Sequence, residues 1–363
     1  MKKISKCLIV LLMMFSIAGC SCSNEECKCP SDQDNTSEEI YTTINNGYKE
    51  LYQQTTRSVV MIKIQRKSNG EIRATGSGVV AFEEGNSAYI VTNAHVIKDV
   101  TNDFQVEVFF SDEEGFMNGK SEVATIMGKD FKEDVAILEI KKSDKYKVAT
   151  IGDSSKVSKG DFVYTIGSPH QKFNHTTAGV ISNYNVKIDI DMINSGVTTP
   201  VYAILFDAPI NSGNSGGALF NHEGKLIGIT TLKYDDMVGV YGALPINYFM
   251  KVAKTLLSTG ASSYSRPTLN ITALSINEMG VLRDTYNISI AITTGVYVQN
   301  SLESNISTQS IITEINGVEV NSVAEFQVEL LKYSVGDNIT LTLINRDGLN
   351  NRQVNVTLHV WLR

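Results

Sequence analysis

Residues 207–219 read DAPINSGNSGGAL, and the fold class can be inferred outward from this segment. Ser215 lies in it among three glycines. Glycine lets the backbone turn sharply, so neighbouring N–H groups can point at one position. The segment predicts a nucleophile, Ser215, and an oxyanion hole formed by Gly213, Asn214 and Ser215, in which the N–H groups of Gly213 and Ser215 are the donors. Taken alone, a cluster of Gly, Asn and Ser is usually only a loop.

Two other segments carry the residues that a nucleophilic serine requires. His95 lies in TNAHVI (92–97) just after an apolar strand, and Asp134 precedes the apolar run of EDVAIL (133–138). A serine hydroxyl is a poor nucleophile until an imidazole takes its proton, and a buried carboxylate must orient that imidazole. Each of these residues alone is more often structural. Together, in the order His, Asp, Ser on a β-rich chain, they predict a catalytic triad.

Short apolar segments separated by Gly, Asn and Asp turns fill the region from about residue 58 to residue 245. This pattern predicts many short strands without intervening helices, which favours antiparallel barrels or a sandwich. The length of the region fits two barrels better than one. Helical spacing of apolar residues from Phe249 to Leu257 predicts a helix that Gly260 ends.

A second unit is predicted after a linker at 259–267. Ser322 and Glu325 form a capping-box pattern that predicts a helix from Ser322 to about Tyr333. The predicted strands lie near Gly295–Gln299, Ile311–Ile315, Asn338–Ile344 and Val354–Val360.

The three motifs resemble those of the trypsin-like serine peptidases, and within them the HtrA/Deg family. The family's T-N-A-H-V motif matches 92–96, its D-[LVI]-A-[VI]-L motif matches 134–138, and its serine motif matches 207–219. The resemblance implies an all-β protease domain at 45–258, a chymotrypsin-like double β-barrel of two six-stranded barrels with the triad in the cleft. It also implies serine endopeptidase activity on unfolded or damaged extracytoplasmic proteins, and a homotrimer, with no cofactor and no metal.

The chain departs from the family pattern at three places. Ser168 and His170 stand where the family usually has Asn and Phe, in a loop that helps set the active conformation. Ser212 replaces a frequent Pro or Arg, and the segment 183–200 is unusually polar. These departures bear on regulation and activation.

Residues 268–363 resemble a PDZ domain, a small α+β fold, more faintly. Leu269, Asn270 and Ile271 are the nearest candidates for the loop that would bind a peptide carboxylate. A PDZ domain captures a peptide by adding it as a strand to a sheet edge. Two hypotheses are equally supported: peptide capture, or a PDZ-like fold that packs on the protease and binds no peptide.

Substrate preference is predicted from the position six residues before Ser215. Trypsin-like enzymes that cleave after Lys or Arg have an acid there, whereas this chain has Pro209. Ile210 and Leu244 are predicted to narrow an apolar pocket that takes small or medium aliphatic residues. The segment Tyr241, Gly242 and Ala243 is predicted to pair with the substrate backbone.

The N-terminal residues predict a targeting segment. Three lysines precede an apolar run of twelve residues, which is too short to span a membrane and fits a signal peptide at 1–19. It ends in Ile-Ala-Gly-Cys at 17–20, which resembles the lipobox of bacterial lipoproteins. The resemblance implies that a lipid on Cys20 anchors the protein to the outer face of the cell membrane. Polar residues 20–44 predict a disordered tether. Three further cysteines there (Cys22, Cys27 and Cys29) leave zinc, a disulfide or no role open.

The formal net charge of -7 disfavours a nucleic-acid partner, because phosphate binding needs a basic surface. Two rival functions remain open. One is a glutamyl-specific endopeptidase, for which His170 or His175 would have to supply a polar pocket. The other is a non-enzymatic peptide sensor or chaperone in which the triad survives but the site is not formed.

Overall fold

The first barrel forms because alternate residues of its strands are apolar. In a computed structural model that describes residues 34–169, 172–190, 199–233, 238–261, 263–280 and 282–360, Val60, Ile62 and Ile64 point into one core. Six antiparallel strands close around this core in the order β1-β2-β3-β6-β5-β4. The strands are β1 (Val59–Arg66), β2 (Ile72–Glu84), β3 (Ser87–Thr92), β4 (Phe104–Ser111), β5 (Met117–Asp130) and β6 (Val135–Lys141).

The second barrel repeats this architecture around its own core, which includes Val163, Ile204 and Phe206. Its strands close in the order β10-β11-β12-β9-β8-β7. The predicted pair of six-stranded barrels is therefore confirmed. The strands are β7 (Phe162–Gly167), β8 (His175–Ile190), β9 (Thr199–Phe206), β10 (Ala218–Asn221), β11 (Leu226–Lys233) and β12 (Tyr241–Pro245).

Two helices flank the barrels. Helix α1 (Asp34–Thr55) precedes them, and α2 (Ile246–Thr259) follows β12 and ends at Gly260, as predicted. Helix α2 packs against β5 and β6 of the first barrel and against β11 of the second, so it joins the two barrels. Its buried face includes Phe249, Val252 and Leu256.

Helix α1 corrects the prediction of a disordered tether over 20–44, because residues 34–44 are helical. Ile40, Ile44 and Leu51 recur at helical spacing, a pattern that the polar composition obscured. The chain divides into two compact units between Lys49 and Glu50. The predicted signal peptide, Cys20 and the three other tether cysteines lie outside the described residues. Within the described ranges, no helix is long and apolar enough to cross a bilayer.

The C-terminal region, residues 268–360, is built on a sheet of order β14-β15-β16-β18-β19, with β17 paired to β16. Strands β16 and β18 have the predicted bounds. The N-cap of the predicted capping box forms, since Ser322 Oγ accepts the Glu325 N–H at 3.1 Å, whereas the Glu325 carboxylate accepts the Asn321 N–H at 2.9 Å in place of that of Ser322. The elements are β13 (Pro267–Thr268), β14 (Ile271–Ser275), α3 (Leu282–Thr285), β15 (Val296–Ser301), β16 (Ile311–Ile315), β17 (Val318–Glu319), α4 (Val323–Leu330), β18 (Asn338–Ile344), β19 (Arg352–Thr357) and β20 (His359–Val360).

A buried ion pair ties the linker to the first barrel. Arg266 of the linker is bonded to the Glu133 carboxylate in the β5–β6 loop, and both side chains are under 10% exposed, at 7% and 3%. Tyr248 of α2 donates its hydroxyl to the same carboxylate at 2.6 Å. At the end of β5, which leads into this loop, the Asp130 carboxylate accepts the Tyr264 N–H. The loop that precedes Asp134 is thus held by residues from outside the barrel.

We expect Arg266→Met to lower the free energy of unfolding by about 3–5 kcal/mol, because it leaves a buried carboxylate without its cation. The double variant Arg266→Met/Glu133→Gln removes that charge and keeps an acceptor for Tyr248, so its loss should be clearly smaller. Urea unfolding measures both. Lys142→Met, which breaks the exposed pair with Glu83, is the control and should leave the free energy of unfolding close to that of the parent protein. Equal losses for the single and double variants would contradict the analysis.

Candidate active site

His95 and Asp134 are brought together across the first barrel. His95 lies in a short 3-10 helix after β3, and Asp134 precedes β6, the neighbour of β3. His95 Nδ1 is 3.0 Å from each carboxylate oxygen of Asp134, and the His95 backbone N–H donates to Oδ1 at 3.0 Å. The carboxylate therefore fixes the ring and selects the tautomer that leaves Nε2 free of the proton.

The backbone of Asp134 is held in a conformation that few residues adopt. Its φ is 53°, in the left-handed region, where a non-glycine residue costs about 1 kcal/mol or more. Asn93 Nδ2 donates to the Asp134 carbonyl at 3.0 Å and to Thr231 Oγ1 at 2.9 Å. These bonds offset the strain, and they join the Asp134 loop to β11 of the second barrel.

The pKa of His95 is shifted by two opposing effects. Burial, the largest single effect, disfavours the imidazolium and acts to lower the pKa. The charge of Asp134 and its hydrogen bond both act to raise it, and together they outweigh burial, so the pKa of His95 lies above its ordinary value. Asp134 thus makes His95 a stronger base.

Ser215 follows a tight turn whose geometry leaves two donors free. Gly213 has φ 101°, and the Asn214 N–H donates to the Asn211 carbonyl at 2.9 Å, which together indicate a type II turn. In the described part of the chain, the N–H groups of Gly213 and Ser215 make no hydrogen bond. This is the arrangement expected of an oxyanion hole. The prediction of Asn214 as its third member is corrected, because the Asn214 N–H already donates to the Asn211 carbonyl.

Close backbone contact seats this turn against β2 of the first barrel. The Ser77 N–H donates to the Ser215 carbonyl at 2.9 Å. Gly216 has φ 82°, and a Cβ there would lie 2.1 Å from the Ser77 carbonyl oxygen and 2.2 Å from Thr92 Oγ1. Only glycine fits at this position.

The hydroxyl of Ser215 and the imidazole of His95 are not hydrogen-bonded to each other among the described residues. Ser215 is half-buried, and the side chain of His95 is 23% exposed. In ligand-free serine hydrolases this bond is often long and tightens only with substrate.

The predicted substrate strand is corrected. Tyr241, Gly242 and Ala243 lie on β12, which pairs with β11 on one side and with β9 on the other. Both backbone edges of this segment are occupied, so it cannot accept a further strand. The end of β11 is different: its pairing with β10 stops at Ile229, and Thr231 there accepts a hydrogen bond from Asn93, which also bonds to the Asp134 carbonyl.

The two apolar residues of the predicted pocket are buried in the second barrel, Ile210 just before the turn segment at 211–217, which we call the nucleophile turn. Ile210 is 4% exposed and packs with Ala243 in the core of the second barrel, and Leu244 is buried beside it in sequence. Pro209 is exposed, and its carbonyl accepts the Thr177 hydroxyl at 2.8 Å. His175 is exposed at the start of β8, while His170 lies outside the described residues.

The Asn270 and Ile271 N–H groups, in the predicted carboxylate loop of the C-terminal region, already donate hydrogen bonds within the chain. Leu269 is buried in the core there, the Asn270 N–H donates to the Glu303 carboxylate at 3.0 Å, and the Ile271 N–H donates to the Leu269 carbonyl at 2.9 Å. The chain's own Glu303 thus takes one donor that a peptide carboxylate would need. This corrects the assignment of Asn270 and Ile271 as free donors.

The sequence did not identify three residues of the site, which are Asn93, Ser77 and Thr231. Asn93 and Ser77 lie inside motifs that the sequence already displays, but nothing in a motif reveals a contact with the other barrel. Thr231 carries no local signal at all. Within the described ranges, no group of three His, Cys, Asp or Glu side chains could hold a metal ion.

The double barrel and this site define a trypsin-like serine peptidase. Residues 76–229 match the model of the trypsin-like peptidase domain. The chain is 33% identical over 300 residues to the serine protease Do-like HtrB of Bacillus subtilis, covering 78% of this chain and 61% of that protein. It is 32% identical over 299 residues to the serine protease Do-like HtrA of Lactococcus lactis, covering 77% of this chain and 70% of that protein.

The chain therefore belongs to the HtrA family of serine proteases. Among solved structures, the HtrA-type protease AlgW with tripeptide has the same fold, with a TM-score of 0.62 and 22% identity, over 87% of this chain and 98% of that one. The chain spans less than two thirds of the Bacillus relative.

We expect NMR titration of His95 to give a midpoint above about 6.5, the value for an unperturbed imidazole. Asp134→Asn removes the effects that raise the pKa and leaves burial, so the midpoint should fall below that of the parent protein. The His95→Gln variant identifies the resonance. An unchanged midpoint in Asp134→Asn would show that Asp134 does not set the basicity of His95.

Proposed function

We propose that this protein is a serine endopeptidase in which Ser215 is the nucleophile and His95 the general base. Asp134 orients His95 and stabilises its imidazolium. The observation that carries the proposal is the nucleophile turn. Two N–H groups on either side of Asn214 have no acceptor within the described chain, and they flank a half-buried serine. Such donors stabilise an oxyanion, and each contributes about 10²–10³ in rate.

The reaction follows from these positions. His95 Nε2 accepts the proton of Ser215 as Oγ attacks the scissile carbonyl carbon. The negative charge that develops on the carbonyl oxygen is stabilised by the Gly213 and Ser215 N–H groups, while Asp134 stabilises the imidazolium. His95 then gives its proton to the leaving amine, and water repeats the sequence on the acyl-enzyme.

On the side of β11 away from β12, no residue after Thr230 pairs with another strand among the described residues, and this is the edge we propose for the substrate backbone. Thr230 exchanges hydrogen bonds of 2.9 Å with Gly216 and Gly217 of the nucleophile turn, so the residues that follow it lead away from Ser215 along an open edge. A peptide added there as a strand passes its scissile bond over Ser215. Pro209 supplies no negative charge, and Ile210 and Leu244 supply apolar walls, which favours small or medium aliphatic side chains.

Unfolded or damaged proteins outside the cytoplasm are the substrate class we propose, because an extended chain is what an open strand edge accepts. A lipid on Cys20 as the membrane anchor and a homotrimeric assembly belong to the same proposal. Both rest on the resemblance to lipoproteins and to the HtrA family.

Ser215→Ala should reduce casein hydrolysis by at least about 10³-fold, because it removes the hydroxyl that we propose as the nucleophile. The melting temperature should stay close to that of the parent protein, since only one half-buried hydroxyl is lost. Fluorophosphonate labelling of the parent protein, but not of Ser215→Ala, is the second measurement.

Ser121→Ala is the matched control, because it removes an exposed serine hydroxyl on β5 and should leave both readouts unchanged. A purified parent protein that hydrolyses no casein and resists fluorophosphonate would favour the peptide sensor or chaperone. Substantial hydrolysis by Ser215→Ala would remove Ser215 as the nucleophile.

Mass spectrometry of cleavage sites in an unfolded protein digest should show Val, Ala and Leu before the cleaved bond, with a shallow preference among them. Apolar burial contributes about 0.8 kcal/mol per methylene, whereas a buried Lys or Arg without a partner costs several kcal/mol. A dominant Lys or Arg preference would refute the pocket assignment. A dominant Glu preference would favour the glutamyl-specific endopeptidase.

Cys20→Ser should move the protein out of the membrane fraction, or leave it unprocessed, because the thiol that accepts the lipid is lost. Mass spectrometry of the parent protein should find a lipidated N-terminus at Cys20. An unlipidated N-terminus at any other residue would contradict the lipobox assignment.

A further inference from the structure

Ser77 of β2 is fully buried, and it contacts the nucleophile turn through both its backbone and its side chain. Its backbone N–H donates to the Ser215 carbonyl at 2.9 Å. Its hydroxyl donates to the Gly213 carbonyl at 2.7 Å. A single residue of the first barrel therefore holds the carbonyls of both residues that supply the oxyanion donors.

The hydroxyl matters because of the peptide group that it holds. The Gly213–Asn214 peptide accepts from Ser77 at its carbonyl end, and its N–H donates to Asn211 at 2.9 Å. This peptide lies between the two free donors, the N–H groups of Gly213 and Ser215. If it rotated, ψ of Gly213 and φ of Asn214 would change. The Gly213 N–H on one side and the Asn214–Ser215 peptide, which carries the Ser215 N–H, on the other would then change direction relative to each other.

Gly213 makes such a rotation cheap, because glycine populates positive and negative φ almost equally. The turn's own hydrogen bond to Asn211 holds the N–H end of the peptide, and a contact from outside the turn holds its carbonyl end. In the described chain the Gly213 carbonyl accepts a hydrogen bond only from Ser77.

Ser77 is itself oriented by a second contact. Its oxygen accepts the Ser168 N–H at 2.8 Å, so the hydroxyl proton is left to point at Gly213. Ser168 Oγ accepts the Asn174 N–H at 3.3 Å, and the Asn174 carbonyl accepts the Tyr52 hydroxyl at 3.0 Å. A chain of hydrogen bonds thus runs from the end of α1 to the oxyanion turn.

We propose that Ser77 is a positioning residue for catalysis, whose hydroxyl keeps the Gly213 and Ser215 N–H groups aimed at the oxyanion. The inference rests on the proposed function, because Ser77 acts only through the turn that carries Ser215. It does not contact the substrate and takes no part in proton transfer.

The test separates transition-state stabilisation from substrate binding and from stability. In Ser77→Ala, kcat for casein should fall by about 10–100-fold, part of what losing an oxyanion donor costs, while KM stays within about twofold. A peptide boronic acid with Val at the reacting position forms a tetrahedral adduct that uses the same donors. Its inhibition constant should rise by about the same factor as kcat falls.

Ser275→Ala is the matched control. Ser275 is also buried, and its hydroxyl also accepts a backbone N–H, that of Val323 at 3.0 Å, but it lies in the C-terminal region. It should lower the melting temperature about as much as Ser77→Ala and leave kcat and the boronate affinity unchanged. Equal kinetic losses in both variants would reduce the role of Ser77 to stability and overturn the inference.

Ser77→Cys decides the matter if Ser77→Ala does not fold, because it keeps the volume and has only a weak donor. A fall in kcat and in boronate affinity without a rise in KM supports the inference, and parent-like values of both overturn it.

The outcome of Ser215→Ala is read separately. If that variant hydrolyses casein, or if the parent protein resists fluorophosphonate, the proposed function fails and the inference fails with it. An active parent protein with a fully active Ser77→Ala overturns the inference alone.

Discussion

The contact between strand β2 and the nucleophile turn is the constraint on which the site depends. His95 and Asp134 belong to the first barrel, whereas Ser215 belongs to the turn before β10 of the second barrel. The three side chains can act together only if the barrels keep a fixed spacing at this point. The absence of a side chain at Gly216 sets that spacing, because its backbone lies against the Ser77 carbonyl and the Thr92 hydroxyl.

Other contacts reinforce the same junction from different sides. Asn93 reaches across to Thr231, and helix α2 packs on strands of both barrels. A buried hydrogen bond contributes about 1 kcal/mol net, but breaking one exposes a penalty of about 1–3 kcal/mol for the partner left behind. Because the groups at this junction, such as Ser77, Asn93 and Thr231, are buried, the barrels cannot slide apart at the site without losing several of these hydrogen bonds together.

Much of this architecture could be predicted from the sequence. Apolar residues at every second position, with Gly and Asn turns between the segments, predict the strands of the two barrels. This prediction succeeds because the alternation of side chains depends only on the residues of each strand. The N-cap at Ser322 and the end of α2 at Gly260 are equally local, and the structure confirms both. The pairing of His95 with Asp134 followed from their motifs, and the structure places the two side chains in contact.

Most of the features that the sequence did not predict depend on contacts between distant segments. Whether β12 can accept a substrate strand depends on β9, which lies some distance along the chain and closes its second edge. The donor status of Asn270 depends on the Glu303 side chain. Helix α1 was hidden for another reason: its polar composition outweighed a regular but sparse apolar spacing. Composition is averaged over a segment, whereas a helix needs only one apolar face.

Asp134 shows how the same junction bears on the electrostatics of the site. Its left-handed backbone, at φ 53°, aims the carboxylate at His95, and this conformation would relax if its loop were free. Asn93 holds the loop from the barrel side, and Glu133, the preceding residue, is fixed by Arg266 of the linker. The pKa of His95 is raised only while the carboxylate stays in contact, since burial alone would lower it. The basicity of His95 therefore depends not only on the contact with Asp134 but also on the linker and the second barrel, whose contacts hold the loop that carries Asp134.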